Sequence, residues 1–167
     1  MSPGPSESEV SDAIACALRA PDHARLKPWR FHVLQGDSLS KLGEVFEEAA
    51  SAGGEISDDK RQKCRNMPLR APLMIVAVCE PIMNPKVPEV DQLLAVGAAV
   101  QNMQLAFNSL GYGSIWRTGE MAKSRVVKNA FDVSLEGEIV GFLYVGTPEK
   151  VPTRPDTAVD GYVKFWE

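Results

Sequence analysis

The stretch from Glu89 to Leu110 constrains this chain more than any other, because it has the pattern of a helix and is apolar on nearly every face. Leu93, Leu94, Val96, Ala99, Val100, Met103, Leu105 and Phe107 leave almost no polar side, and Gly111 supplies a stop. Such a helix must be covered on most of its surface. At 167 residues the chain is about one domain, expected to run over 1–167. A domain of that size does not easily cover this helix and also the apolar end carrying Tyr162, Val163, Phe165 and Trp166. A homodimer is therefore expected, with an interface above roughly 2,000 Å².

The remaining elements can be placed around that helix. Ser6 followed by Glu9 is a capping box, and Val10, Ile14 and Leu18 recur at helical spacing, so a first helix is expected from Ser6 to Ala20, stopped by Pro21. Trp29, Phe31 and Val33 alternate with Arg30, His32 and Leu34 in the pattern of a half-buried strand. Asp37 or Ser38 is placed to cap a second helix with Leu39, Leu42, Val45 and Phe46 on its buried stripe, and Asp58 to Asn66 reads as a short polar helix. Pro72 to Glu80 is a continuous apolar run rich in β-branched residues and reads as a buried strand. Two more strands, Tyr112 to Arg117 and Ile139 to Val145, are joined by a helix expected from Lys123 to Phe131. Helices alternating with strands give an α/β layered domain of four or five strands, with parallel and antiparallel pairing both open.

Composition removes several function classes. The formal net charge of -4 is spread over both signs, which favours neither a nucleic-acid partner nor a membrane surface. The first residues lack the basic end and apolar core of a signal peptide. Cys16, Cys64 and Cys79 form no C-x-x-C and no framework, as in a cytoplasmic protein with reduced thiols. No phosphate-binding P-loop, zincin, nucleophile-elbow or metal-ligand spacing is present, so no metal site and no catalytic side chain are assigned. Gly111-Tyr-Gly113 starts like a dinucleotide fingerprint, but Trp116 stands in place of the third glycine and the segment enters a strand.

Two clusters carry the candidate chemistry. Arg19 to Phe31 holds Arg19, Arg25, Lys27, Asp22 and His23 in one Pro-bounded loop between helix and strand, ready for an anion. An arginine there can equally complement the helix dipole, and a loop histidine can serve as a structural hydrogen-bond partner. The second cluster is Gly111 to Gly119. Its Arg117 is expected to be buried with a ligand or partner, and its Trp116 offers a flat ring for a cofactor or for the core.

Together with Arg70-Ala-Pro72 and Ile139 to Pro148, these clusters resemble the nitroreductase family in its small, single-domain form, in the family's order along the chain. The resemblance implies an α+β fold, a mainly antiparallel central sheet surrounded by helices in an intertwined dimer, with one FMN in each of two interface sites. It assigns FMN contacts to Arg19 and His23 on one side and to Trp116, Arg117, Thr118 and Gly119 on the other, with backbone N–H groups near Thr118 and Gly119 facing the flavin N5 edge. The implied reaction is ping-pong hydride transfer from NAD(P)H through FMN to a small-molecule acceptor such as a nitroaromatic or quinone. The family's leading helix, ending in an Arg-Arg-Ser motif that holds the FMN phosphate, has no counterpart before Ser6, which predicts weakened FMN binding and leaves a non-catalytic flavin-storage relative as the second reading.

Overall fold

Leu73 to Cys79 is buried along its whole length, and the architecture follows from that strand. In the structure, a computed structural model that describes residues 3–150, 153 and 156–166, it is the second of four strands. These are β1 (Trp29–Gln35), β2 (Leu73–Cys79), β3 (Gly113–Arg117) and β4 (Glu138–Gly146), in the antiparallel order β1, β2, β4, β3. Successive side chains of a strand point to opposite faces. Leu73, Ile75, Ala77 and Cys79 enter one core with α1 (Glu7–Ala17) and α4 (Glu89–Ser109), while Met74, Val76 and Val78 enter another with α2 (Asp37–Ser51). A run with both faces covered is apolar at every position, which is why β2 shows no alternation. The fold is thus α+β, an antiparallel sheet with helices on both faces.

The capping box forms as expected. Glu9 N–H donates to the Ser6 hydroxyl at 3.3 Å, and Ser6 N–H donates to the Glu9 carboxylate at 2.8 Å. Ser57 caps α3 (Asp58–Asn66) through its side chain alone, its hydroxyl accepting from Lys60 N–H. Helices α2 and α3 approach so closely that a Cβ on Gly43 would lie 2.3 Å from the Arg65 carbonyl oxygen. Glu47 joins the pair, accepting from both Arg61 and Arg65. Phe46 and Phe107, each fully buried, anchor the two cores, and each such side chain contributes about 1.5 to 3 kcal/mol.

The structure corrects several local expectations. Residue Gly36, at φ 54°, is the N-cap of α2, and the Ser38 hydroxyl instead bonds both the N–H and the carbonyl of Gln35. The single helix expected from Lys123 to Phe131 is two, α5 (Glu120–Lys123) and α6 (Arg125–Ala130), because Ser124 adopts ψ 127° between them. In β1 the buried set changes sides: Trp29 is buried but Val33 is 43% exposed, while Leu34 turns into the α2 core. An edge strand gets its cover from whichever helix passes it, and here that changes along its length.

Buried Lys128 is held by the Gly137 carbonyl at 3.0 Å and Glu138 at 2.9 Å. Cys16 is exposed on α1, whereas Cys64 and Cys79 are buried, and all three are free thiols. Burial pushes the Cys79 thiol up to about 11, with neighbouring carboxylates adding to the effect. Among the described residues no helix is long and apolar enough to cross a membrane. Pro152 and Pro155 of the tail lie outside the described residues.

Candidate functional site

Helix α1 ends at Leu18, and Arg19 N–H still donates to the Cys16 carbonyl at 3.1 Å before Pro21 turns the chain away. Residues His23–Arg25 form one 3₁₀ turn. Within five residues Ala24, Arg25 and Lys27 take φ of 61°, 56° and 53°, a left-handed conformation that costs a non-glycine residue about 1 to 2 kcal/mol. The Asp22 carboxylate accepts from Lys27 N–H at 2.7 Å and so closes the loop on itself. Arg19, His23, Arg25 and Lys27 are exposed, and among the described residues their side chains make no hydrogen bond or ion pair. Strain of this kind gathers where a backbone is held for a purpose.

The other cluster lies on β3, the opposite edge of the sheet. Trp116 pairs with Leu143 of β4 and packs towards α4, its ring edge 3.7 Å from where a Cβ of Gly97 would stand. Its indole N–H donates to the Val140 carbonyl at 3.2 Å. Val140 is the extra residue of an irregularity in β4, since Ile139 pairs with Val78 and Gly141 with Ala77. A Cβ on Gly141 would lie 2.1 Å from Trp116 Nε1, so the ring occupies a notch that only glycine leaves open. The sequence offered a signal for this, an isolated glycine in a strand, but the register that sets it against Trp116 did not follow from it.

Arg117 is exposed, not buried as expected. It ends an edge strand and, by alternation, points to the α2 side of the sheet, opposite to Trp116. Gly119 then turns the chain into α5 at φ 104°, a conformation side-chain-bearing residues rarely adopt. Trp116, Arg117, Thr118 and Gly119 thus form one ribbon with its side chains on both faces of the sheet.

The ribbon and the Arg19–Lys27 loop flank the same end of the sheet, where β2 finishes. Two strands separate their edges, a span of three strand spacings or about 14 Å. One chain therefore presents Arg19 and His23 at one edge and Trp116 to Gly119 at the other. Tyr144, paired with Ile115 beside the ribbon, was not read from the sequence as a site residue, and Arg70 lies towards the opposite end of the sheet, in the Pro68–Arg70 turn before β2.

Residues 1–147 match the profile described as Nitroreductase family. The chain belongs to the nitroreductase family. Among curated relatives it is 42% identical over 148 residues to the putative NAD(P)H nitroreductase YdjA of Escherichia coli K12, spanning 88% of this chain and 80% of that protein. It is also 30% identical over 160 residues to a putative NAD(P)H nitroreductase of Haemophilus influenzae, spanning 95% of this chain and 86% of that one. A crystal structure of a nitroreductase-like family protein from Bacillus cereus superposes with a TM-score of 0.83 at 20% identity, covering 100% of this chain and 88% of that one, and so shares the nitroreductase fold.

Proposed function

We propose that this nitroreductase-family chain is an FMN-dependent oxidoreductase that passes hydride from NAD(P)H, via flavin, to nitroaromatic or quinone-type acceptors in a ping-pong cycle. The observation that carries the reading is the Trp116–Gly119 ribbon, where a notched indole, an exposed arginine and a glycine turn adjoin at a free sheet edge. These parts suit a flat, anionic cofactor. The indole offers a large planar surface, Arg117 an uncommitted positive charge, and the turn at Gly119 redirects the backbone at the point where N–H donors would meet the flavin N5 edge. Bound FMN supplies the two-electron chemistry, accepting hydride from the nicotinamide and returning electrons to the acceptor. The chain's own contribution is to bind and orient, with Trp116, Arg117, Thr118 and Gly119 on one side and Arg19 and His23 on the other. No side chain need carry a proton in that hydride step.

The reading includes a homodimer, in which the loop of one protomer meets the ribbon edge of its partner and completes the site. The exposed apolar positions of α4 support it: Val90, Leu94 and Leu105 are 57%, 67% and 59% exposed, with small Gly97 and Ala98 between them. The tail adds Tyr162, Phe165 and Trp166, nearly bare in one chain. So much apolar surface is a usual mark of an interface.

Reconstitution with FMN tests the activity. Flavin absorbance that bleaches with NADH or NADPH and returns on adding a nitroaromatic is expected, and a protein that takes up no flavin refutes the reading. Retained flavin that no nicotinamide bleaches would leave a storage protein. Sedimentation at micromolar concentration should show the dimer.

A further inference from the structure

Arg25 and Lys27 are the cations that the flavin reading leaves unassigned. From Arg19 to Arg30 four cations stand against one carboxylate, in a chain whose formal net charge is -4. Arg19 belongs to the flavin reading, and the Arg30 guanidinium donates to the Trp29 and Lys27 carbonyls at 2.7 and 3.2 Å. Arg25 and Lys27 are exposed, and among the described residues neither side chain has a hydrogen bond or ion pair. Their backbone is nonetheless fixed. Both residues are left-handed, and the Lys27 backbone is gripped twice, its N–H by the Asp22 carboxylate at 2.7 Å and its carbonyl by Arg30.

The two carboxylates tied to this loop are engaged with backbone. Asp22 accepts from Lys27 N–H, and Glu80, whose own N–H donates to the Pro28 carbonyl at 2.7 Å, accepts from Ser134 N–H at 3.0 Å. That allocation bears on which nicotinamide the site takes. NADH and NADPH differ only at the adenosine ribose, with a 2′-hydroxyl in one and a 2′-phosphate monoester in the other. In dinucleotide sites a carboxylate beside that ribose accepts from the hydroxyl, whereas a nearby arginine accommodates the phosphate. Here the acids are committed and the cations are not.

We propose that Arg25 and Lys27 select NADPH over NADH by holding its 2′-phosphate. The proposal rests on the flavin reading and names the hydride donor within it. A phosphate monoester carries a charge of about -1.5 to -2 at neutral pH and three acceptor oxygens, which a planar guanidinium fork and a mobile ammonium meet together. Because the backbone already orders the loop, binding has only the two side chains left to immobilise. The 2′-phosphate takes no part in hydride transfer, so its contact is the same in ground and transition states and is read in KM, not in kcat.

Steady-state oxidation of NADPH and of NADH by the FMN-loaded wild type and by the double variant Arg25→Ala, Lys27→Ala tests the assignment. Alanine suits the loop, since Ala24 already sits at φ 61° beside these residues. The wild type should favour NADPH by about tenfold or more in kcat/KM, and the double variant should bring the two donors within about twofold by raising the NADPH KM, with NADH moved by less than about twofold. Equal use of both donors by the wild type, a preference that survives in the double variant, or an equal loss for both donors overturns it. A double variant that no longer holds FMN also overturns it, because the two cations then serve the flavin phosphate. If neither donor reduces the wild-type flavin, the functional reading fails, and the loop is decided by NMR titration with adenosine 2′,5′-bisphosphate and adenosine 5′-monophosphate, which differ only in the 2′-phosphate. Bisphosphate bound about tenfold more tightly than monophosphate by the wild type, and equally with it by the double variant, upholds the loop as a 2′-phosphate site. Equal affinities in the wild type, or no binding of either, overturns it.

Discussion

The two edges of the sheet are built on opposite principles. At β3 the ribbon is positioned by packing, with Trp116 seated in the Gly141 notch and tied to the Val140 carbonyl. Beside β1 the loop is positioned by strain, with three left-handed residues, Ala24, Arg25 and Lys27, restrained by Asp22. A site drawing on both has one rigid wall and one wall that stores conformational energy. The contrast explains why a cationic loop can remain without partners: its order comes from the backbone, so its side chains stay available.

The sharpest way to break the contrast is Gly141→Ala. A methyl group 2.1 Å from Trp116 Nε1 must evict the indole, and overpacking with loss of the hydrogen bond should destabilise the fold by about 3 kcal/mol. Thermal unfolding and a red-shifted tryptophan emission read the change; an unaltered spectrum would show that the notch does not hold the ring. Next comes Arg117→Ala, expected to weaken FMN binding by about 1.5 to 3 kcal/mol, or one to two decades in Kd. Arg30→Ala is the control, because that guanidinium already donates to the Trp29 carbonyl at 2.7 Å and the Lys27 carbonyl at 3.2 Å. Coincident FMN titrations for the two variants would remove Arg117 from the site.

At the strained edge the sign should reverse. Ala24→Gly relieves a φ of 61° and, after the added freedom of the unfolded chain, should stabilise the protein by about 0.5 kcal/mol in denaturant titration. A loss of stability would mean the loop is not strained.

The smallest effect concerns the link between the two regions. Glu9 on α1 accepts from Ser6 and from the Tyr112 hydroxyl, which precedes β3. The Ser6 backbone N–H, then its hydroxyl, then Tyr112 hold the Glu9 carboxyl below its ordinary 4.5. Arg65 and Arg61 do the same for Glu47. A carboxyl lowered in the folded state contributes stability above its unfolded value and loses it as pH falls through the folded one. Unfolding midpoints should therefore drop below about pH 4.5, and Glu9→Gln should flatten part of that slope.

Local signals were legible in the sequence wherever neighbours along the chain decide the outcome. The Ser6–Glu9 box, the Gly111 stop and the unbroken β2 run all appear as read. What depends on strand order was not. Arg117 looked buried because its neighbours are apolar, yet only the order β1, β2, β4, β3 reveals that β3 is an edge. The notch joins Trp116 to Gly141 through register, and Ser124 interrupts a helix with neither glycine nor proline to announce it. Of the candidate site, the residue types in the two clusters were readable, and their division between two edges was not.

The unequal cysteines make the chain a ready-made spectroscopic specimen. Thiolate is the form that reacts with electrophilic reagents, and a Cys79 thiol pushed to about 11 inside the core, like the buried Cys64, is shielded from them. Cys16 alone faces outward, on the helix that leads to the strained loop and whose Cys16 carbonyl accepts from Asn102 of α4. A nitroxide attached there labels each protomer once, so any pair of copies yields a single electron–electron distance without an engineered substitution.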